Sequence, residues 1–122
     1  MGRRILVTED SPTILEILKS VLTEEGYEVI AAADGQQALD LARTEKPDLI
    51  ILNLMLPKID GYKVCRMLKF DERFKNIPII MLTARAKESD EQLGREVGAD
   101  AYIRKPFQPE VMIDEIKKLL KS

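Results

Sequence analysis

Glu9 and Asp10 are adjacent carboxylates that close a short apolar run, Ile5-Leu6-Val7, through Thr8. Neighbouring carboxylates repel, and a bound cation best accounts for such a pair. Oxygen ligands with room for water suit Mg²⁺, with Asp10 binding directly and Glu9 through a water. Three more polar residues follow predicted strands far along the chain. They are Asn53 after residues 49–52, Thr83 after 79–82, and Lys105 after 101–104. A cation beside a Lys ammonium and a Thr hydroxyl describes a phosphoryl site. The metal and Lys105 would neutralise phosphoryl oxygens, and Thr83 would donate a hydrogen bond. For any one of these residues a solvated loop is the better explanation. For all five at predicted strand ends it is a poor one.

Composition narrows the chemistry further. The 122 residues suit one domain, and the reading expects a single domain over 1–122 with no attached effector domain. The chain has no histidine, which excludes an imidazole base, a Ser-His-Asp or Cys-His constellation and a His metal ligand. Cys65 is the single cysteine, so no internal disulfide or zinc site is possible. A lone thiol suits a reducing cytoplasm, the expected location. The net charge of −2 gives no basic footprint for nucleic acid, so no direct nucleic-acid contact is expected. No apolar run is long enough for a membrane span or a signal peptide.

The elements that must gather these residues can be read from the pattern. A strand over 5–7 precedes Ser11-Pro12, a helix cap followed by proline at the first helical position. Ile14, Leu15, Ile17, Leu18, Val21 and Leu22 repeat at helical spacing, and Gly26 stops that helix. A strand is predicted over 27–31, and Asp34 caps a second helix. Within a strand predicted over 48–53, residues 49–52 are continuously apolar, as in a parallel strand buried on both faces. A third helix follows over about 62–68, with Val64, Met67 and Leu68 as a core stripe and Cys65 as a packing residue. Strands over 78–82 and 101–104 flank a charged helix over about 87–97, and Pro109 opens the last helix. Strands alternating with helices imply an α/β fold, a doubly wound five-stranded parallel sheet with helices on both faces. In such sheets ligands bind beyond the carboxyl ends of the strands, where the residues singled out above fall.

Ordered along the chain, the motifs are Glu9-Asp10, Leu52-Asn53-Leu54-Met55-Leu56-Pro57 with Asp60-Gly61, Leu82-Thr83-Ala84, Gly98-Ala99-Asp100 and Lys105-Pro106-Phe107. Each is weak alone. In this order and spacing they resemble the receiver domain of two-component response regulators, the CheY-like family, over essentially the whole chain. The resemblance implies the flavodoxin-like (βα)5 fold with strand order 2-1-3-4-5. It implies a domain that takes a phosphoryl group from a phosphohistidine on a sensor histidine kinase or phosphotransfer protein, with Mg²⁺ as cofactor. Glu9, Asp10, the residue at position 53 and the carbonyl of Met55 would hold the metal. Thr83 would be the switch hydroxyl, Tyr102 the switch aromatic and Lys105 the phosphoryl-binding lysine. A cis Lys105–Pro106 peptide is implied as well.

The phosphoacceptor position departs from the family. Asn53 stands where an aspartate is expected. A carboxamide nitrogen lone pair is delocalised and its oxygen carries no full charge, so it cannot attack as a carboxylate does. The metal also loses an anionic ligand. One unit charge at about 4 Å is worth ~4 kcal/mol before desolvation, so Mg²⁺ binding should weaken. The domain should not act as an enzyme on its own phosphorylation. Two explanations of Asn53 stand: an engineered replacement of the family's aspartate that locks the domain unphosphorylated, or a natural pseudo-receiver that signals through protein contacts without phosphate.

Partner surfaces are read from the same resemblance. A homodimer face would combine the fourth predicted helix, the fifth strand and the last helix, with Lys87, Glu88, Asp90, Glu91, Arg95, Arg104, Lys117 and Lys118. An ordinary solvated surface explains these charges equally well. Kinase docking would use Ile14, Leu15 and Leu18 with Pro106 and Phe107. A flavin binder of the same fold would need a Ser/Thr/Gly-rich loop after strand one, which the acidic residues 8–12 do not provide. A phosphohydrolase with an aspartyl nucleophile would need two strand-one aspartates spaced by one residue, which are also absent.

Overall fold

The structure, a computed structural model, describes residues 3–83 and 98–120. Its elements run β1 (Arg4–Thr8), α1 (Pro12–Glu24), β2 (Glu28–Ala32), α2 (Gly35–Glu45), β3 (Leu49–Asn53), α3 (Gly61–Lys69), β4 (Ile79–Thr83), β5 (Ala101–Arg104) and α4 (Pro109–Leu120). The helix expected over 87–97 lies outside the described residues, as do Ala84, Lys87, Glu88, Asp90, Glu91 and Arg95. The five strands form one parallel sheet in the order β2-β1-β3-β4-β5, as the resemblance implied. The Lys105–Pro106 peptide is cis.

Period-two alternation sorts the strand side chains between two cores. Leu6, Ile50, Leu52, Ile79 and Met81 face one side, where Ala38, Leu39 and Ala42 of α2 and Val64, Cys65 and Leu68 of α3 cover them. Ile5, Val7, Leu49, Ile51, Ile80 and Leu82 face the other, under Leu18 and Leu22 of α1 and Met112, Ile113 and Ile116 of α4. Every residue of β3 and β4 is buried, as a central parallel strand requires.

Polar caps fix where the helices begin. Ser11 Oγ accepts from the Ile14 N–H at 3.4 Å, with Pro12 opening α1. Asp34 caps α2 through the Gln37 N–H at 2.8 Å, and Asp60 caps α3 through the Lys63 N–H at 3.0 Å. Each accepts one of the N–H groups that a helix start leaves unpaired.

Three side chains lie elsewhere than the sequence suggested. Met67 is 45% exposed, whereas Val64 and Leu68 are buried. Its position on α3 points it away from the sheet, so the stripe is narrower than expected. Ile17 is likewise 47% exposed. Tyr27 is not in β2: its N–H donates to the Leu22 carbonyl and finishes the end of α1.

Candidate functional site

Sheet register brings the chosen residues together. β1 lies between β2 and β3, so the loops after β1 and β3 lead away from a crevice at the reversal of strand order. Glu9 is anchored there by its N–H, which donates to the Ala32 carbonyl at 3.0 Å. Asn53 is the last residue of β3 and pairs in register with Leu82. Thr83 ends β4 opposite Arg104, and the Lys105 N–H donates to the Thr83 carbonyl. The carboxyl ends of β1, β3, β4 and β5 therefore present Glu9, Asn53, Thr83 and Lys105 in one row, with Asp10 beside Glu9.

The centre of this row is the Asn53 side chain. Its Nδ2 donates to Glu9 Oε1 at 3.0 Å and to Asp10 Oδ1 at 3.2 Å. Its Oδ1 accepts from the Met55 N–H at 3.3 Å. Glu9 is almost fully buried and also accepts from the Ser11 N–H at 3.1 Å. Its other oxygen, Oε2, lies 3.0 Å from Lys105 Nζ, an ion pair by proximity without the alignment of a hydrogen bond. Thr83 is fully buried. Tyr102 packs, partly buried, against the α2/α3 core, and its buried Oη has no hydrogen-bond partner among the described residues.

The loop after Asn53 is held by close backbone approaches. A Cβ on Gly61 would lie 2.3 Å from the Asn53 carbonyl oxygen, and one on Gly35 would lie 2.0 Å from the Ile59 carbonyl oxygen. The Gly35 N–H donates to the Pro57 carbonyl at 3.2 Å. Lys58 adopts a left-handed backbone at φ 67°, and its Nζ lies 3.5 Å from Asp34 Oδ2. The Gln37 N–H, helped by the nearby Lys58 ammonium, holds the Asp34 carboxyl below its usual range against the opposing effect of burial. Sequence reading treated Asp34 as a cap and missed this clamp. The Asp34-Gly35 pair after a strand was the available signal.

The donor set can be tested against Mg²⁺. Two carboxylates suit a hard dication, but no third His, Cys, Asp or Glu joins them among the described residues. The group between them is an N–H donor, and the Asn53 oxygen faces the Met55 N–H instead. As placed, the residues do not fit the ion.

A second feature lies beside the site. A groove of about 360 Å³ runs between α1 and the loop after β5, lined by Ile14, Ile17, Lys105, Pro106, Phe107 and Pro109. Leu18, expected to dock a partner here, is fully buried in the core and cannot do so; the exposed Ile17 lines the groove instead. Ile17 was missed because it fits the helical apolar stripe without facing the sheet. On the expected dimer face, Arg104, Lys117 and Lys118 are exposed, but Lys117 Nζ lies 3.6 Å from Glu25 at the end of α1.

Sheet order and crevice define a doubly wound α/β domain with a polar site at its switch point. The chain belongs to the response regulator receiver domain family, whose sequence profile matches residues 5–117. It is thus the receiver domain of a two-component response regulator. It is 46% identical over 121 residues to the alkaline phosphatase synthesis transcriptional regulatory protein PhoP of Bacillus subtilis (strain 168), covering 99% of this chain and 50% of that protein. The chain spans about half the length of the curated relatives it matches. The crystal structure of a putative response regulator from Chloroflexus aurantiacus superposes with a TM-score of 0.96 at 37% identity, covering 100% of both chains. The receiver domain of sensor histidine kinase PA1611 from Pseudomonas aeruginosa superposes at 0.92 with 32% identity over 100% of both chains, and it holds a magnesium ion in its active site cleft. Receiver domains take phosphate from histidine kinases and bind Mg²⁺. Among the described residues, no helix is long and apolar enough to cross a membrane.

Proposed function

We propose that this chain is a receiver domain that keeps the family's pocket but does not accept a phosphoryl group. The observation that carries this reading is the Asn53 side chain at the end of β3, donating through Nδ2 to Glu9 and Asp10. A nucleophile needs an available electron pair. The carboxamide nitrogen has delocalised its own and directs both N–H bonds at the carboxylates. Lys105 is drawn to Glu9 at 3.0 Å, and Thr83 ends the neighbouring strand. These are the phosphoryl-binding lysine and switch hydroxyl of the reading, with Tyr102 as the switch aromatic behind them. Mg²⁺ binding to Glu9, Asp10, position 53 and the Met55 carbonyl is weakened, because a neutral amide replaces a charge. The chain does not catalyse its own phosphorylation or dephosphorylation.

An otherwise complete pocket supports Asn53 as a replacement for the family's aspartate that holds the domain in its unphosphorylated state. On the pseudo-receiver reading, signalling passes through protein contacts alone. The kinase or phosphotransfer protein docks weakly in the groove of Ile14, Ile17, Pro106 and Phe107, whose apolar lining lies next to Lys105. A homodimer would use the face that combines the helix expected over 87–97 with β5 and α4. The domain itself contacts neither nucleic acid nor membrane, in keeping with its balanced charge and a cytoplasmic setting. Incubation with a small phosphodonor and Mg²⁺, followed by intact mass and peptide mapping, tests the central point. The expected result is no added phosphate; a phosphate mapped to residue 53 with its carboxamide intact would overturn it.

A further inference from the structure

The mismatch between Asn53 and a metal centre has a structural consequence. Two carboxylates share the crevice, one of them on the nearly fully buried Glu9. Like charges so placed require a counter-charge or donors. Here each carboxylate receives one N–H of the same amide, at 3.0 and 3.2 Å. Lys105 lies against the remaining Glu9 oxygen at 3.0 Å, and the Ser11 N–H adds to the first. The Met55 N–H, at the start of the loop expected to supply a carbonyl ligand, is taken by Asn53 Oδ1. The Asn53 side chain therefore bonds to the acidic pair through its nitrogen and to the following loop through its oxygen.

We propose that the Asn53 carboxamide is a built-in substitute for the divalent cation, joining Glu9 and Asp10 so that the stability of this chain does not rise with metal. It rests on the site described above and concerns stability, so it can fail while the reading of Asn53 as a dead acceptor survives. An aspartate at this position has no N–H to give. It would put a third carboxylate against the pair, with Lys105 already held by Glu9, and would make the stability of the site depend on metal. For the amide to admit a cation between the carboxylates, it must turn by half a rotation. That gives up both donated bonds and points its nitrogen at the Met55 N–H.

Thermal unfolding of the chain and of Asn53→Asp, each with chelator and with 10 mM-range (roughly physiological excess) Mg²⁺, tests this. In chelator the aspartate variant should melt lower by roughly 5 °C or more, and Mg²⁺ should recover most of that difference. The melting temperature of the chain itself should not move with Mg²⁺. A rise in the chain equal to that of the variant would overturn the proposal, as would a variant equally stable in chelator. Side-chain ¹⁵N–¹H signals give a second reading on the folded chain. The two Asn53 amide protons should be shifted apart by their carboxylate bonds and should stay unbroadened by Mn²⁺ at concentrations that broaden site signals in the variant. Broadening at the same Mn²⁺ concentration in both would also overturn it.

Discussion

Removing the Lys105–Glu9 pair tests whether the site is held by charge. The atoms are 3.0 Å apart, with the side chains 16% and 1% exposed. At an effective dielectric of 20, unit charges at that distance attract by about 5–6 kcal/mol. Desolvation of the two groups offsets part of this, and the lack of hydrogen-bond alignment removes a further share. Glu9 also keeps its Asn53 and Ser11 donors when Lys105 is lost. The net coupling should be about 2 kcal/mol. A double-mutant cycle of Lys105→Met, Glu9→Gln and the double variant measures it. Methionine retains most of the apolar stem, so charge is the main change. Urea unfolding at neutral pH in chelator is the assay, and salt should reduce the coupling little because the pair is sheltered. A coupling under about 0.5 kcal/mol would refute the electrostatic account and leave Lys105 a packing residue.

Other perturbations should give distinct results. Gly61→Ala places a Cβ 2.3 Å from the Asn53 carbonyl oxygen, so it should cost about 1–3 kcal/mol and shift the Asn53 side-chain amide signals; an unmoved signal would separate that loop from the site. Lys69 Nζ lies 2.7 Å from Asp100 and donates to the Lys75 and Ile77 carbonyls, so Lys69→Met should cost about 2 kcal/mol in urea unfolding, and a loss under about 0.5 would mark the clamp as solvated. Burial pushes the Cys65 thiol up from 9.0 to about 12, the nearby Asp100 charge adding to this and Lys69 opposing it. The unfolded chain therefore loses this proton first, and stability that is full below pH 9 should fall by about 1.4 kcal/mol per pH unit between pH 9 and about 12. Cys65→Ala should show a shallower alkaline slope, and equal slopes would contradict the assignment.

Much of the fold was legible because its signals are local. Short apolar runs, Ser11-Pro12 and the Asp34 cap each carry their own geometry, whereas the Asp60 cap of α3 emerged only in the structure. The row of Glu9, Asn53, Thr83 and Lys105 followed from the rule that parallel strands gather their carboxyl ends. Strand order did not follow from periodicity; it came with the family resemblance. Side-chain direction was less legible. Ile17 and Met67 fit an apolar stripe yet face outward, because helix position relative to the sheet decides which edge of a stripe is covered. The orientation of the Asn53 amide was hidden as well. It depends on donors at Met55 and acceptors at Glu9 and Asp10, which meet only after folding.

The central claim is that the pocket is intact and that the acceptor atom alone is missing. Restoring it with Asn53→Asp, then supplying a small phosphodonor and Mg²⁺ and following intact mass with time, tests this most directly. The account predicts one added phosphate on the variant, carried at position 53, and none on the chain itself. A variant that stays unmodified while folded would contradict it.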